Sequence, residues 1–164
     1  QFRNRTGSRP SIDKNHPTIR INLHIGKDTA NVAIDTSGAS LHHRGYRTAT
    51  NIAPINEVLA AGILLLSGWD GQSHFLDPMC GSGTIAIEAA MIACRIPANI
   101  NRKEFAFEKW ADFDPDLFDT IQDSLLKKMR DFHYTIVGYD KAPSAVSKAR
   151  DNVKNANLDE YIRI

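Results

Sequence analysis

Residues 75 to 84 read Phe-Leu-Asp-Pro-Met-Cys-Gly-Ser-Gly-Thr. A carboxylate, Asp77, precedes two glycines, Gly81 and Gly83, and an amphipathic run opens at Thr84. The pattern predicts an apolar strand end, a turn that depends on glycine, and a helix start. Glycine permits positive φ and close approach of a ligand to the backbone. The first turn of a helix offers free N–H groups and the positive end of its dipole. Such a site suits a nucleoside-bearing molecule with a charged tail. A phosphate-binding loop needs Gly-x-x-x-x-Gly-Lys-Ser/Thr, and no Lys follows Gly83. A dinucleotide fingerprint fits formally at Gly81, Gly83 and Ala86. It leaves Asp77 unexplained, because a carboxylate there would repel a pyrophosphate.

S-adenosyl-L-methionine (SAM) answers that objection. It carries an ammonium group and a sulfonium, for which a carboxylate in the loop is an asset. The string Asp-Pro-x-Cys-Gly-Ser-Gly-Thr resembles the first motif of Rossmann-like methyltransferases acting on exocyclic amino groups of nucleic-acid bases. A second string, Tyr134-Thr-Ile-Val-Gly-Tyr-Asp140, ends a β-rich run on an acid. In a Rossmann-like sheet the acid that ends the second strand lies beside the glycine loop of the first and accepts from ribose hydroxyls. Hydrogen bonds to a charged acceptor contribute about 1.5–3 kcal/mol, so loss of Asp140 is expected to weaken cofactor binding roughly ten- to a hundredfold. Taken alone, Asp140 reads equally well as a helix N-cap or turn aspartate, since Lys141-Ala-Pro-Ser follows. At the spacing a dehydrogenase would use, the nearest acids are Glu104 and Glu108, which end no strand.

The elements that must hold these residues follow from periodicity. Residues 18–25 and 29–35 alternate with period two around Gly26-Lys-Asp28 and predict a β-hairpin. Ile52 to Ser67 predicts a buried helix, apolar on most faces, capped by Thr50 or Asn51 and ended at Gly68. Ser73 to Leu76 is a short strand delivering Asp77. Thr84 to Cys94 is a helix with Ile85, Ala89, Ile92 and Ala93 inward. Residues 96–113 form an insertion whose Phe105, Phe107, Trp110 and Phe113 read as a small core more readily than as a base-stacking surface. Pro115 to Phe132 and Pro143 to Asn155 are amphipathic helices, the second with Val146, Ala149 and Val153 inward, and a strand begins near Tyr161. Strands alternating with helices predict an α/β chain with a doubly wound parallel sheet.

Composition agrees with one globular domain. The chain has 164 residues, of which 42% are hydrophobic, within the ordinary range for folded proteins. No run reaches the roughly 18 apolar residues of a membrane span. Two cysteines, Cys80 and Cys94, imply no disulfide scaffold, and a cytoplasmic protein fits best. The net charge of +1 hides an asymmetry: residues 1–50 hold 8 Lys/Arg against 3 Asp/Glu, the remainder 12 against 16. A basic leading segment is compatible with a polyanionic partner and equally with a solvated linker. The first residues, Gln-Phe-Arg, and the last, Tyr161 to Ile164, read as cut ends of a longer polypeptide.

Several strings align, in order, with one family: Asp35-Thr-Ser-Gly-Ala-Ser-Leu-His-His-Arg-Gly-Tyr-Arg47, Ala53-Pro-Ile-Asn-Glu57, Asp77 to Thr84, Phe105 to Trp110, and Gly138-Tyr-Asp140. Over residues 18–164 the chain resembles the RNA guanine-N2 methyltransferases that carry a THUMP RNA-binding domain ahead of the catalytic domain, most of all the bacterial members acting on 23S rRNA. The resemblance implies that Asp77, Cys80, Gly81, Ser82, Gly83 and Thr84 surround the methionyl part of SAM, that Asp140 holds its ribose, and that Ala53 and Pro54 border the pocket. Arg44 and Arg47 are then candidates for RNA phosphates, or for ion pairs within the fold. His42 and His43 lack the spacing of a metal site, and no metal is expected. The expected organisation is a linker over 1–17, a β-hairpin and basic loop over 18–50, and the N-terminal half of a Rossmann-like methyltransferase domain over 51–164. The THUMP domain is expected to lie upstream, with residues 1–17 at most its trailing edge.

One departure matters. The family carries an Asn/Asp-Pro-Pro-aromatic motif after the fourth strand, which receives the target amino group and stacks the extruded base. No Pro-Pro pair occurs in the 164 residues. No catalytic residue is therefore assigned, the motif is expected beyond Ile164, and this stretch alone is expected to be inactive. A tRNA guanine-N2 methyltransferase, a DNA amino-methyltransferase and a non-catalytic RNA-binding module remain alternatives. The oligomeric state stays open.

Overall fold

The computed structural model describes residues 2–8, 12–48 and 54–164. The chain forms two compact units, one of residues 1–39 with 104–113, the other of residues 40–103 with 114–164.

In the first unit, β1 (Arg20–Ile25) and β2 (Ala30–Asp35) pair antiparallel, with Ile21 opposite Ile34, Leu23 opposite Val32 and Ile25 opposite Ala30. The alternation therefore puts one apolar and one polar face on the hairpin. The Gly26 N–H closes the turn on the Thr29 carbonyl at 2.8 Å. Past β2, the Asp35 carboxylate gathers the Ser37 and Gly38 amides and the Ser37 hydroxyl. The bent segment then accepts the Ala106 and Phe107 amides on Ser37 and Thr36 carbonyls. The aromatic insertion packs on itself, with Phe105 stacked on Phe107 at 5.2 Å and Phe107 against Phe113 at 5.9 Å, an arrangement of the small-core kind. Glu108 and Glu104 have local tasks: Glu108 accepts the Phe105 amide and Glu104 pairs Lys109. Residues read as linker include a five-residue helix, α1 (Phe2–Thr6).

The second unit is built on a parallel sheet ordered β3 (Phe75–Asp77), β4 (Ile136–Gly138), β5 (Ile162–Arg163). Register pairs Phe75 with Ile136, Asp77 with Gly138, and Ile136 with Ile162. Against all three strands lies α3 (Thr84–Ala93). Its Ala86, Ala89 and Ala90 are fully buried, as is Ile87. Alanines leave room for a close approach, and Ile87 adds roughly 1.5–3 kcal/mol by burial. The helix is covered on more sides than an amphipathic stripe predicts: Ile85 and Ile92 are only half-buried, while Glu88 and Met91 are buried.

Three sequence expectations need correction. The helix expected from Ile52 is α2 (Glu57–Leu66). Its start is set by Asn56, which is extended and accepts the Val58 and Leu59 amides on its side chain, as an N-cap does. The alternative caps, Thr50 and Asn51, lie outside the described residues. Nor is α2 buried on most faces. It packs on α3 through Ala60 and Leu64, while Val58, Leu59, Ile63, Leu65 and Leu66 are exposed. The helix expected to reach Phe132 is α4 (Pro115–Leu126). Arg130 turns the chain away, its amide on the Cys94 carbonyl and its Nε on the Ala93 carbonyl, and Phe132 is buried among Trp69, Tyr134 and Tyr161. The last helix, α5 (Pro143–Asn155), has the expected bounds and buries Ala149 and Val153.

Candidate cofactor site

Parallel register places Asp77 beside Gly138 at the C-terminal end of the sheet, the edge at which open α/β sheets bind ligands. Backbone bonds lace the two loops together. The Tyr139 amide donates to the Asp77 carbonyl at 2.8 Å, and the Cys80 amide to the Tyr139 carbonyl at 2.7 Å. Asp140 joins them: its Oδ2 accepts the Gly81 amide at 2.9 Å and its Oδ1 the Ala142 amide at 2.9 Å. Asp140 is thus a turn acceptor, and it is half-buried, leaving its carboxylate reachable from solvent. It is not the N-cap of α5, which is Ala142; the turn role and the ligand reading are compatible, because each carboxylate oxygen has two acceptor sites.

Gly81 and Gly83 have φ of +57° and +83°, the left-handed region in which a Cβ is strained. Gly83 caps α3 without a side-chain bond to the helix amides, so the first turn of α3 keeps open donors. A Cβ on Gly138 would meet Cys80 Cβ at 3.1 Å and Sγ at 3.2 Å. Cys80 is therefore a packing residue beneath the loop, and burial lifts its thiol to about 11. It is protonated at neutral pH and not nucleophilic.

Asp77 carries the one unresolved account in the loop. It is 8% exposed. Its Oδ1 accepts the Met79 amide at 3.2 Å, but its Oδ2 is buried with no hydrogen-bond partner. Burial raises its pKa, the Met79 amide opposes the rise, and the Asp140 charge reinforces it. A buried carboxylate oxygen left unpaired costs on the order of 1–3 kcal/mol, and a cationic ligand removes that cost.

Ser82 and Thr84 are buried, while Met79 is exposed. The Ser82 carbonyl accepts from Asn152 Nδ2 at 3.0 Å, and Thr84 Oγ1 accepts from Arg47 Nη2 at 2.8 Å. Arg47 Nη2 also donates to the Ile55 carbonyl at 3.0 Å, which brings the half-buried Pro54 segment toward the start of α3. Ala53 lies outside the described residues.

Arg44 and Arg47, the candidates for RNA phosphates, are spent inside the fold. Arg44 forks onto Glu88, with Nε to Oε1 and Nη2 to Oε2 both at 3.3 Å, and Tyr46 Oη donates to the same carboxylate at 3.4 Å. Arg47 Nε lies 3.2 Å from Glu57 Oε1, an ion contact whose angle makes no hydrogen bond. The physical reason is neutralisation: two buried acids on helices require two cations. Burial raises the Glu88 pKa against the lowering effect of Arg44, and burial with the neighbouring acids raises that of Tyr46. The sequence reading missed Glu57, Glu88 and Asn152. The available signal was Thr84 and Glu88, one turn apart in a helix otherwise made of Ala, Ile and Met. His42 Nδ1 lies 2.7 Å from Ser40 Oγ. Among the described residues no three His, Cys, Asp or Glu side chains gather as metal ligands, and no helix is long and apolar enough to cross a membrane.

Comparison with known proteins gives this geometry a lineage. Residues 44–164 match the model of the RMKL-like methyltransferase domain, and residues 1–35 that of the THUMP domain. The THUMP match takes in both the segment read as linker and the hairpin. Ribosomal RNA large subunit methyltransferase K/L of Vibrio campbellii is 39% identical over 158 residues, which are 94% of this chain and 22% of that protein. The chain thus spans about a fifth of the length of that curated relative. Two solved structures are similar. One is SMU.472, assigned as a methyltransferase and complexed with SAH (TM-score 0.85, 38% identity, 99% of this chain and 43% of that one). The other is a predicted N6-adenine-specific DNA methylase from Listeria monocytogenes (TM-score 0.78, 38% identity, 88% and 38%). With a parallel sheet whose glycine loop is flanked by carboxylates at the end of β3 and just past β4, and a domain-model match over residues 44–164, the chain belongs to the RMKL-like methyltransferase-domain family.

Proposed function

We propose that this chain supplies the SAM-binding part of an RNA methyltransferase that modifies the exocyclic N2 amino group of a guanine in 23S rRNA. The observation that carries the reading is the buried, unpartnered Asp77 Oδ2 at the mouth of the glycine loop. The names of the large-subunit rRNA methyltransferase relatives, the THUMP match and the SAH complex of SMU.472 support it. The residues fit the cofactor. Asp77 Oδ2 would accept from its ammonium, the Asp140 carboxylate from ribose hydroxyls, and the open amides after Gly83 would face its carboxylate. When bound, the cofactor supplies an electrophilic methyl group. The contribution of these residues is to orient and to exclude water. No Pro-Pro pair that could receive the target amine occurs in residues 1–164, so no transfer residue is assigned here.

The likeness to a structure described as a DNA methylase sustains a second reading, DNA amino-methylation. Nucleoside mass spectrometry on ribosomal RNA, transfer RNA and DNA, comparing wild type with a deletion of the gene, separates them. Loss of N2-methylguanosine from 23S rRNA, restored by the wild-type gene but not by Asp77→Ala or Asp140→Ala, is expected. Loss confined to transfer RNA moves the substrate, loss of an aminomethylated DNA base supports the second reading, and no change in any pool refutes both.

A further inference from the structure

We infer that Arg47, with the residue after it, is a positioning device for the cofactor loop; the inference rests on the cofactor reading above. Gly83 makes the left-handed turn into α3, at φ +83°, and its two neighbours are tied down from behind by consecutive residues of one segment. On one side, Arg47 Nη2 donates to Thr84 Oγ1 at 2.8 Å. On the other, the Thr48 amide donates to Asn152 Oδ1 at 3.2 Å, and Asn152 Nδ2 donates to the Ser82 carbonyl at 3.0 Å. Asn152 is fully buried and Thr84 is 2% exposed, so water does not compete for these bonds.

Arg47 is placed to do more than neutralise Glu57. The same Nη2 holds the Ile55 carbonyl ahead of α2, so one guanidinium sets the spacing between the entry of α2 and the first residue of α3. Arg44 makes a contrasting pair one turn along the helix. Its fork onto Glu88 lies away from the loop and serves stability. Glycine loses more backbone freedom on ordering than any other residue. A loop ordered in advance spares the ligand that cost, and preorganisation of this kind raises affinity without a new contact. Arg47 touches no atom a cofactor would touch and acts through Thr84, so it is a positioning residue.

The test is a double-mutant cycle read in SAH affinity by calorimetry, on the protein expressed from its complete gene. Thr84→Val removes only the hydroxyl acceptor, while Arg47→Met removes the donor together with its bond to the Ile55 carbonyl and its pairing with Glu57. Each is expected to raise Kd about tenfold, the loss of one hydrogen bond to a charged group. The double variant is expected to be no weaker than Arg47→Met alone, because the bond that Thr84→Val deletes is already lost there. Arg47→Lys, which can still reach Thr84, recovers part of the affinity. A merely structural role predicts a lower melting temperature with unchanged or additive effects on Kd, and either result overturns the inference. Where Arg47→Met does not fold, Thr84→Val decides alone: a Kd within twofold of wild type overturns it. Wild-type protein that binds no SAH overturns the cofactor reading and this inference with it. Wild-type binding with unaltered variants overturns this inference only.

Discussion

Replacing Asp77 with Asn exchanges one oxygen for one nitrogen and removes one charge. The Asn oxygen can keep the Met79 amide bond, and the second atom is unpartnered before and after. What changes is the buried charge and its repulsion from Asp140. The ligand-free variant is therefore expected to melt no lower than wild type. Binding responds in the opposite direction. A bond between a carboxylate and an ammonium at a site 8% exposed belongs in the upper part of the range of about 1.5–3 kcal/mol, so SAH affinity falls roughly 30- to 150-fold. At a ligand concentration one hundred times the wild-type Kd, SAH stabilises wild type by about 2.7 kcal/mol and the variant by about 0.9 kcal/mol or less. Calorimetry and thermal shift on the same samples read both quantities. The pH dependence follows from the raised pKa of Asp77. Its contribution to stability of the free protein is present below the unfolded carboxylate value of about 3.9 and is lost as pH rises through the folded value. Cofactor binding, which needs the carboxylate, weakens as pH falls through that same raised value, and the Asn variant lacks this step. A Kd within threefold of wild type, or a melting temperature several degrees lower, would make Asp77 a scaffold residue and refute the argument.

Glu88→Leu leaves the Arg44 guanidinium buried without its partner and is expected to cost about 3–5 kcal/mol in urea unfolding, most of it recovered by adding Arg44→Met. Gly83→Ala forces a Cβ into the left-handed region and to 3.3 Å from Ala149 Cβ; a loss of about 1–2 kcal/mol is expected. Gly62→Ala, mid-helix in α2 with nothing within 4 Å of the new carbon, is expected to gain about 0.5–1 kcal/mol. Removing the cap of α2 with Asn56→Ala is expected to cost about 1 kcal/mol, measured by the same unfolding transition.

The glycine loop and Asp140 were legible because their signals are local. Two glycines with positive φ, a strand that must end on an acid, and a helix start all lie within short stretches of chain. The start of α2 was misread because the apolar run extends past the true cap, and only the side-chain bonds of Asn56 to Val58 and Leu59 mark where the helix begins. The end of α4 was misread for a non-local reason. Arg130 leaves the helix to bond carbonyls of residues 93 and 94, a partnership that no periodicity in residues 115–132 announces. The roles of Arg44 and Arg47 were open in the sequence because an arginine in a loop looks the same whether its acid is a phosphate or a glutamate 44 positions away, as it is for Arg44 and Glu88.

The anchoring of Ser82 and Thr84 by residues 47 and 48 also limits how such a protein can be recombined. A fusion that joins a foreign upstream domain at residue 49 retains every residue of the glycine loop and yet discards both of its anchors. A fusion joined within residues 36–43 keeps them, and that interval is the gap between the two domain matches, which end at 35 and begin at 44. The transferable module therefore begins at Arg44, 33 residues before Asp77, and a graft designed from the nucleotide-binding motif alone would carry the loop without the parts that hold it in shape.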